Sequence, residues 1–263
     1  MSASYARPRL ADCARTQMRV VGALVLREMQ SRYGKRDLSL LWVFLEPLVL
    51  ALVIGVFHSF LGHGGMRRVF EFYAMGYLLY FLMRSVMNRG SSAVVGSLAL
   101  LAHRRVTLLD VFIARHIIEF FTIALVMFVF QIGLLAMGAE MPASPMQMMA
   151  ALVMMLLLAQ GLGFIVGSIA ALLPSAERVT HVFSYLLLPV SGAFWMIENL
   201  PRWAQEIVIW VPLVHIFEFL REGQFGDLYR YRYDLDYVAH WALALNLLGL
   251  AALRAVRRHL AAE

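Results

Sequence analysis

Residues 141–176 read MPASPMQMMAALVMMLLLAQGLGFIVGSIAALLPSA, and they include no Asp, Glu, Lys or Arg. A helix crosses the hydrocarbon core of a bilayer with about 20 mostly apolar residues. The prolines near both ends bound a predicted span at 146–173, because proline interrupts a helix. A long uncharged stretch of this kind is typical of a membrane-spanning helix.

The composition of the whole chain agrees with this stretch. Of the 263 residues, 61% are hydrophobic and 15% are charged, whereas soluble domains are about 45–50% apolar and about 25% charged. This balance excludes a disordered chain and argues against a soluble enzyme. Cys13 is the only cysteine, so no disulfide forms within the chain. The histidines lack the spacing of metal ligands, and we expect no metal site.

Charge-poor stretches predict an all-α polytopic membrane protein with six transmembrane helices. The reasoning is that an ionised side chain at the bilayer centre costs roughly 2.5–3.5 kcal/mol on insertion scales. A cytoplasmic tail, 1–37, precedes a single transmembrane domain, 38–263. The predicted spans cover residues 38–61, 70–87, 112–137, 146–173, 180–197 and 237–253.

Basic residues predict the orientation of these spans. With the N-terminus inside, the inner segments carry sixteen of the 23 basic residues, the outer segments carry six, and Arg84 lies within a span. Cytoplasmic loops of membrane proteins carry the excess of Lys and Arg. Both termini are therefore predicted to be cytoplasmic, and the net charge of +6 requires no nucleic-acid partner.

Two inner segments have patterns that favour a protein partner. Residues 15–33 place four apolar side chains on one helical face, which predicts an amphipathic helix lying in the membrane interface. This helix either anchors to anionic lipid or docks a cytoplasmic partner. The inner loop 90–110 contains an apolar stretch, 94–102, followed by three basic residues. An exposed apolar run predicts a helix packed against another protein or, alternatively, buried in its own bundle. The apolar face of the first helix comprises Met18, Val21, Val25 and Met29.

The outer segment between the fifth and sixth spans predicts a re-entrant helical hairpin at 199–226. Two apolar stretches, 203–211 and 213–220, flank Pro212, and each is about half a membrane thick. Such irregular backbone at membrane depth has to be buried in protein.

Local residues refine the predicted hairpin. Asn199 is a candidate N-cap for its first helix, and Gly223 is a candidate terminator for its second. Glu218 and Arg221 are separated by three residues, so they can pair on one helical face.

Two motifs resemble the permeases of type-2 ABC exporters. Arg32-Tyr33, followed by Leu41-Trp42 and Leu45-Glu46-Pro47, is similar to their opening. Residues 212–221, which read PLVHIFEFLR, and Phe225-Gly226 resemble their element before the last span. Within this family the chain looks most like the capsular polysaccharide export permeases of Gram-negative bacteria. The resemblance extends over the whole chain in length, span count and the long last outer loop.

The resemblance implies an inner-membrane homodimer that works with two copies of a separate cytoplasmic ATPase subunit. It implies that lipid-linked polysaccharide passes through a channel between the protomers, and that periplasmic and outer-membrane export components receive it. This chain has no Gly-x-x-x-x-Gly-Lys-Ser/Thr phosphate cradle. We therefore expect no catalytic residue and no cofactor in it, with ATP and Mg bound by the partner.

The predicted ATPase-coupling residues lie on the amphipathic helix and the first inner loop. They are Arg27, Arg32, Leu98, Leu101, His103, Arg104 and Arg105.

The predicted channel-lining residues are mostly aromatic. Three tyrosines recur at i, i+4 and i+7, and aromatic rings can stack on sugars while their hydroxyls form hydrogen bonds. An interfacial aromatic belt is the alternative. Glu46 is a carboxylate within a span, which indicates function or local pairing beside Pro47. The full set is Trp42, Glu46, Tyr73, Tyr77, Tyr80, Phe194 and Trp195.

The predicted outer gate lies in the hairpin, where it would close the outer mouth of the channel. Its charged residues alternatively snorkel to the interface and hold the hairpin in place. The set is Trp203, Trp210, Pro212, His215, Glu218 and Arg221.

A stripe of small residues recurs every four positions along the fourth span. It comprises Ala159, Gly163, Gly167 and Ala171. Small residues let helices approach closely, so the stripe predicts packing within the chain or, alternatively, a dimer seam.

Two other functions are compatible with the sequence. One is a type-2 permease for another cargo, such as O-antigen, teichoic acid or a drug. The other is a membrane enzyme or scaffold of lipid-linked glycan assembly, although the sequence contains no paired carboxylates or nucleophile motif.

Overall fold

Regular structure in this computed structural model is helical throughout the described residues, which are 10–33, 37–61, 66–94, 96, 106–173 and 175–260. The predicted all-α class is confirmed. Two 3-10 helices, Ile197–Asn199 and Gly226–Leu228, accompany nine α-helices in these ranges. The α-helices are α1 (Leu10–Tyr33), α2 (Asp37–Leu61), α3 (Met66–Ser91), α4 (Leu108–Ala136), α5 (Pro145–Leu172), α6 (Ser175–Leu186), α7 (Arg202–Val208), α8 (Pro212–Phe225) and α9 (Leu235–Leu260).

Local sequence explains where the two most apolar helices begin. At the start of α4, Thr107 and Asp110 form a capping box, in which each side chain bonds the other residue's backbone N–H. At the start of α5, the Ser144 hydroxyl accepts the backbone N–H of Gln147, and Pro145 occupies the first helical position. The third and fourth predicted spans agree with these helices to within a few residues.

Three described helices, α4, α5 and α9, are long and apolar enough to cross a membrane. The pair α7 and α8 is apolar enough when taken together, but it bends by 105° at the break between them. In α2 the strongly apolar part is Leu48–Phe57. By length and composition, the described residues therefore contain three helices that could cross a membrane, or four if the bent pair is one span.

The prediction of a continuous fifth span over 180–197 is wrong. Helix α6 ends at Leu186 after 12 residues, a length of about 18 Å, and turns follow through 187–194. Pro189 has no backbone N–H to continue a helix. Gly192 has a φ of +92°, which favours glycine and is incompatible with a right-handed helix.

Helix α5 is the centre of the bundle and packs most extensively against α9 and α3. A Cβ atom added at Gly167 would lie 2.5 Å from the Gly90 carbonyl oxygen and from the Phe112 ring. On another face, a Cβ atom at Gly161 would lie 2.7 Å from Leu245 of α9. Glycine is therefore required for both close approaches, and the small-residue stripe serves packing within the chain at Gly167.

Helix α1 packs along the first half of α4, and only part of its predicted apolar face takes part. Leu24 is buried against Val111 and Ala114, although Leu24 was outside the predicted face. Met18 and Met29 are 68% and 40% exposed. The face turned toward the protein is thus rotated from the predicted one, because α4 offers an apolar surface that sequence periodicity does not reveal.

Candidate functional site

The helical break predicted at Pro212 is confirmed, whereas both predicted end residues are wrong. Pro212 begins α8. The N-cap of α7 is Pro201 instead of Asn199. Helix α8 continues past Gly223 to Phe225 and ends at Gly226, which has a φ of +59°. The reason is that Gly226 adopts the positive φ needed to leave the helix, while Gly223 packs inside it, next to α5.

His215 ties this break to the beginning of α9. Its Nε2 lies 2.8 Å from the carbonyl oxygen of Ile209, and its Nδ1 accepts the backbone N–H of Asp234 at 3.0 Å. A neutral ring protonated on Nε2 makes both bonds at once. Tyr237 adds a third connection, because its hydroxyl donates to the carbonyl oxygen of Trp210 at 2.8 Å.

The predicted pair of Glu218 and Arg221 is present and completely buried. Oxygen Oε1 of Glu218 lies 3.7 Å from Nη1 of Arg221, and their side chains are 0% and 3% exposed. The Glu218 carboxylate also accepts the backbone N–H groups of Ile197 at 3.2 Å and Arg232 at 3.3 Å. Burying a charge is tolerated when it is paired and hydrogen-bonded in this way.

Arg221 also supplies hydrogen bonds to the irregular backbone that follows α6. Its guanidinium donates to the carbonyl oxygens of Trp195 at 2.6 Å, Gly192 at 2.7 Å and Ala193 at 2.9 Å. It lies 4.0 Å from the centre of the Phe72 ring on α3. Carbonyl groups outside a helix need partners when they are buried, and one arginine provides them for three. We call Phe72, Glu218, Arg221 and residues 192–195 the outer cluster, after the side of the membrane that the sequence predicts for this part of the chain.

Helix α3 fits closely against the outer cluster. A Cβ atom at Gly76 would lie 2.3 Å from the carbonyl oxygen of Ala193, which is one of the oxygens that Arg221 binds. A backbone atom cannot move aside as a flexible side chain can. The turn after α6 is therefore held between α3 and α8.

The far end of α8 is attached to neighbouring segments by Glu222. Its carboxylate accepts hydrogen bonds from Gln147 of α5, at 2.5 Å, and from the Tyr233 hydroxyl. Burial and this bond raise the pKa of Tyr233 to about 12. The phenol therefore keeps its proton, and remains a donor to Glu222, over the whole physiological pH range.

The structure divides the predicted channel-lining aromatics into two groups. Tyr73 is partly exposed and its ring centre lies 5.8 Å from that of Phe194. Trp195 follows Phe194 in the sequence, and its indole N–H donates to the carbonyl oxygen of Pro189 at 2.7 Å. In contrast, Tyr77 and Tyr80 are 5% and 1% exposed within the core of the chain. The three tyrosines do not form one exposed face.

The remaining predicted residues are dispersed. Glu46 is exposed and lines a polar cavity together with Arg84. Trp203 and Trp210 are 68% and 72% exposed, and Arg27 is exposed on α1. The other predicted coupling and channel residues lie outside the described side chains: Arg32, Trp42, Leu98, Leu101, His103, Arg104 and Arg105.

Sequence reasoning missed two contributors to these sites. Phe72 gave no signal because its partner, Arg221, is distant in sequence. Glu119 pairs with Arg89 between α4 and α3. That pair did have a signal, since ionisable groups within predicted spans are expected to face the bundle interior and pair. In the part of the chain described, no group of three potential ligands could hold a metal ion.

Comparison with known proteins agrees with the resemblance seen in the motifs. Residues 19–225 match the family model of the ABC-2 type transporter. The capsule polysaccharide export inner-membrane protein CtrC of Neisseria meningitidis serogroup A is 33% identical over 89% of this chain and 90% of its own length. The corresponding protein BexB of Haemophilus influenzae is 31% identical, covering 90% of this chain and 91% of its own. The polysialic acid transport protein KpsM of Escherichia coli is 26% identical over 89% and 92%. The chain belongs to the ABC-2 type transporter family.

Proposed function

We propose that this protein is the membrane-spanning subunit of an ATP-driven exporter of lipid-linked capsular polysaccharide in the bacterial inner membrane. The observation that carries the proposal is the similarity to capsule export inner-membrane proteins over about nine-tenths of both chains. Two protomers form the channel, and two copies of a cytoplasmic ATPase bind ATP and Mg. Periplasmic and outer-membrane components receive the polymer.

Six crossings remain the best topology for this role. Helices α2 and α3 have 25 and 26 residues, which at 1.5 Å per residue is about 38 Å and exceeds the roughly 30 Å of hydrocarbon. The charges inside α3 have partners, because Arg89 pairs with Glu119 and Arg84 donates to the Tyr185 hydroxyl. Pairing of this kind supports a crossing that hydropathy alone rejects.

The fifth crossing is proposed to combine α6 with the irregular segment 187–196. Ser191, Ala193 and Met196 are at most 2% exposed, so the second half of this segment is buried in protein, whereas Val190 before it is 50% exposed. Irregular backbone at membrane depth is tolerated under this condition, and Arg221 satisfies its carbonyls. With six crossings, both termini are cytoplasmic and α7 and α8 form a re-entrant hairpin on the outer side.

In this arrangement the hairpin closes the outer mouth of the channel and the inner end binds the ATPase. The exposed Trp203 and Trp210 suit a hairpin surface that faces the membrane interface or the second protomer. On the inner side, α1 presents Met18 and Leu26, which are 68% and 63% exposed, and Arg27. These residues support an interfacial helix near the ATPase.

The decisive experiment combines copurification with transport. The full chain is expressed with the cytoplasmic ATPase proposed as its partner, purified and reconstituted into vesicles with lipid-linked polysaccharide. We expect the ATPase to copurify and the glycolipid to move across the bilayer only with ATP. Charge reversal at Arg104 and Arg105 should weaken ATPase binding, while reversal at the outer Arg230 should leave it unchanged. Absence of a bound ATPase together with nucleotide-independent conversion of glycolipid would instead indicate an enzyme of glycan assembly.

A further inference from the structure

A polar cavity of 290 Å³ lies between α2, α3, α4 and α6, away from the outer cluster. Its volume is near the lower end of small-molecule pockets, which are about 300–1,000 Å³. Helix α3 contributes most of the wall. The lining residues are Glu46, Phe81, Arg84, Ser85, Asn88, Arg89, Ser92, Glu119, Thr122, Glu177 and His181. We call this the inner cavity.

The charge of the lining disfavours an anionic ligand. Three carboxylates and two guanidinium groups give a formal charge of −1 when His181 is neutral. Both arginines are already engaged, since Arg89 pairs with Glu119 and the Arg84 guanidinium lies 3.9 Å from the centre of the Tyr185 ring. A phosphate group would meet net repulsion here.

The lining has hydrogen-bonding capacity left for a neutral ligand. The Asn88 side chain lines the cavity, and its amide group can both donate and accept hydrogen bonds. The Ser85 hydroxyl donates to the carbonyl oxygen of Leu82 at 3.0 Å and can accept a further bond, while the Thr122 hydroxyl can donate and accept. Phe81 adds an aromatic surface. Donors, acceptors and one aromatic ring together match a sugar, whose hydroxyls need both kinds of partner.

The inner cavity is connected to α1. Arg115 of α4 lies 3.6 Å from the Glu28 carboxylate of α1 and donates to the carbonyl oxygen of Arg89 at 3.1 Å. Arg89 itself forms part of the cavity wall. In the proposed topology this is the cytoplasmic end of the bundle, where a polymer enters before it is exported.

We infer that the inner cavity binds a sugar unit of the exported polymer through its hydroxyl groups, and that it does not bind the phosphate of a lipid anchor. This inference rests on the proposed function for the identity of the ligand. The binding site itself is defined by Asn88, Ser85, Thr122 and Phe81.

The test measures binding to the purified full chain in nanodiscs by saturation-transfer NMR. The probes are a short oligosaccharide released from the capsule of the same strain and freed of lipid, and glycerol phosphate as the anionic rival. The variants are Asn88→Ala and the isosteric Thr122→Val. The control is Asn199→Ala, since Asn199 is an exposed amide remote from the cavity lining.

We expect the oligosaccharide to bind, each cavity variant to weaken it roughly tenfold, as losing one buried hydrogen bond does, and Asn199→Ala to have no effect. Binding of glycerol phosphate but not of the oligosaccharide would overturn the inference, as would equal oligosaccharide binding by Thr122→Val. The proposed function fails separately: if ATP does not drive glycolipid transport but the oligosaccharide still binds at Asn88, the sugar site stands and the exporter does not. If the cavity variants bind the sugar as tightly as the native chain and also transport normally, the sugar site is refuted while the proposed export function stands.

Discussion

The protein contains two arginine–glutamate pairs that differ in how completely they are enclosed. In the outer cluster, Arg221 and Glu218 lie on one helix and are 3% and 0% exposed. At the inner cavity, Arg89 and Glu119 lie on different helices, and the Arg89 side chain is 41% exposed. The outer arginine bonds three backbone carbonyls, whereas the inner pair lines a polar cavity.

This difference predicts that the outer pair stabilises the fold, whereas the inner pair borders a binding site. Removing one member of a completely buried pair strands the other charge and costs stability. At the inner cavity the Glu119 side chain is 5% exposed, but Arg89 keeps access to water, so loss of this pair costs less than loss of the outer pair. We therefore expect substitutions in the outer cluster to reduce folded protein, and substitutions at the inner cavity to reduce transport at an unchanged amount of protein.

The largest effect is expected for Arg221→Met. This change leaves the Glu218 carboxylate buried without its charge partner and removes the donors to Gly192, Ala193 and Trp195, so we expect a loss of about 3–5 kcal/mol of unfolding free energy. Thermal unfolding of the purified chain and its amount in the membrane measure this effect. Arg230→Met is the matched control, because Arg230 is exposed and only its backbone N–H bonds Glu198.

A double variant tests whether the charges act as a pair. Replacing Glu218 and Arg221 together by Leu and Met removes both buried charges, so it should lose less stability than the sum of the single changes. An unfolding temperature of Arg221→Met equal to that of Arg230→Met would refute the structural role of the outer cluster.

Gly76→Ala tests the same cluster from the side of α3. Its Cβ atom would lie 2.3 Å from the Ala193 carbonyl oxygen, which must shift away from Arg221. Overpacking of this kind typically costs about 1–3 kcal/mol. Gly133→Ala is the control, since nothing lies within 4 Å of an added Cβ atom there, and alanine favours a helix over glycine by roughly 0.5–1 kcal/mol. Unfolding temperatures should therefore move in opposite directions, and a shared direction would contradict the close packing of α3 on this turn.

The two sites were not equally predictable from the sequence. The outer pair was predicted because both residues lie on one helix, where a separation of three residues places side chains together. The bend was predicted because Pro212 acts locally on its own helix. In contrast, the partners of Arg221 are carbonyls about 26–29 residues away, and they exist only because α6 ends early. Hydropathy indicated a continuous fifth span there, since the residues after Leu186 are as apolar as a helix would require.

The inner cavity was not predicted because four helices assemble it. Glu46 was identified as a carboxylate inside a span and Arg84 as a charge left within one, but neither residue indicates its neighbours. The tyrosines show the limit of periodicity in the same way. Their spacing placed Tyr73, Tyr77 and Tyr80 on one helical face, yet α3 is enclosed along most of its length, so two of the three are core residues.

The smallest effect on stability is expected for Glu28→Gln. This variant tests whether α1 couples ATP hydrolysis to the wall of the inner cavity. Glu28 and Arg115 have side chains that are 23% and 13% exposed, and glutamine keeps a polar partner for Arg115, so we expect a smaller loss of stability than for Arg221→Met or Gly76→Ala. The Glu28 carboxylate is nevertheless the charged link between α1 and the residue that bonds the Arg89 carbonyl. If α1 responds to the ATPase as proposed, the ATPase bound to the Glu28→Gln variant should hydrolyse ATP normally while export falls several-fold.

Charge exchange makes this last prediction specific. The double variant Glu28→Arg with Arg115→Glu restores an attractive pair, so it should recover part of the lost export, whereas Glu28→Arg alone places two positive charges together and should be worse than Glu28→Gln. Arg19→Gln is the control on the same helix, because Arg19 is exposed. Export per ATP hydrolysed is the quantity to compare in reconstituted vesicles. If this ratio is the same for the native chain, Glu28→Gln and Arg19→Gln, then the ion pair only positions α1. The inner cavity would then be a binding site that is not coupled to the ATPase.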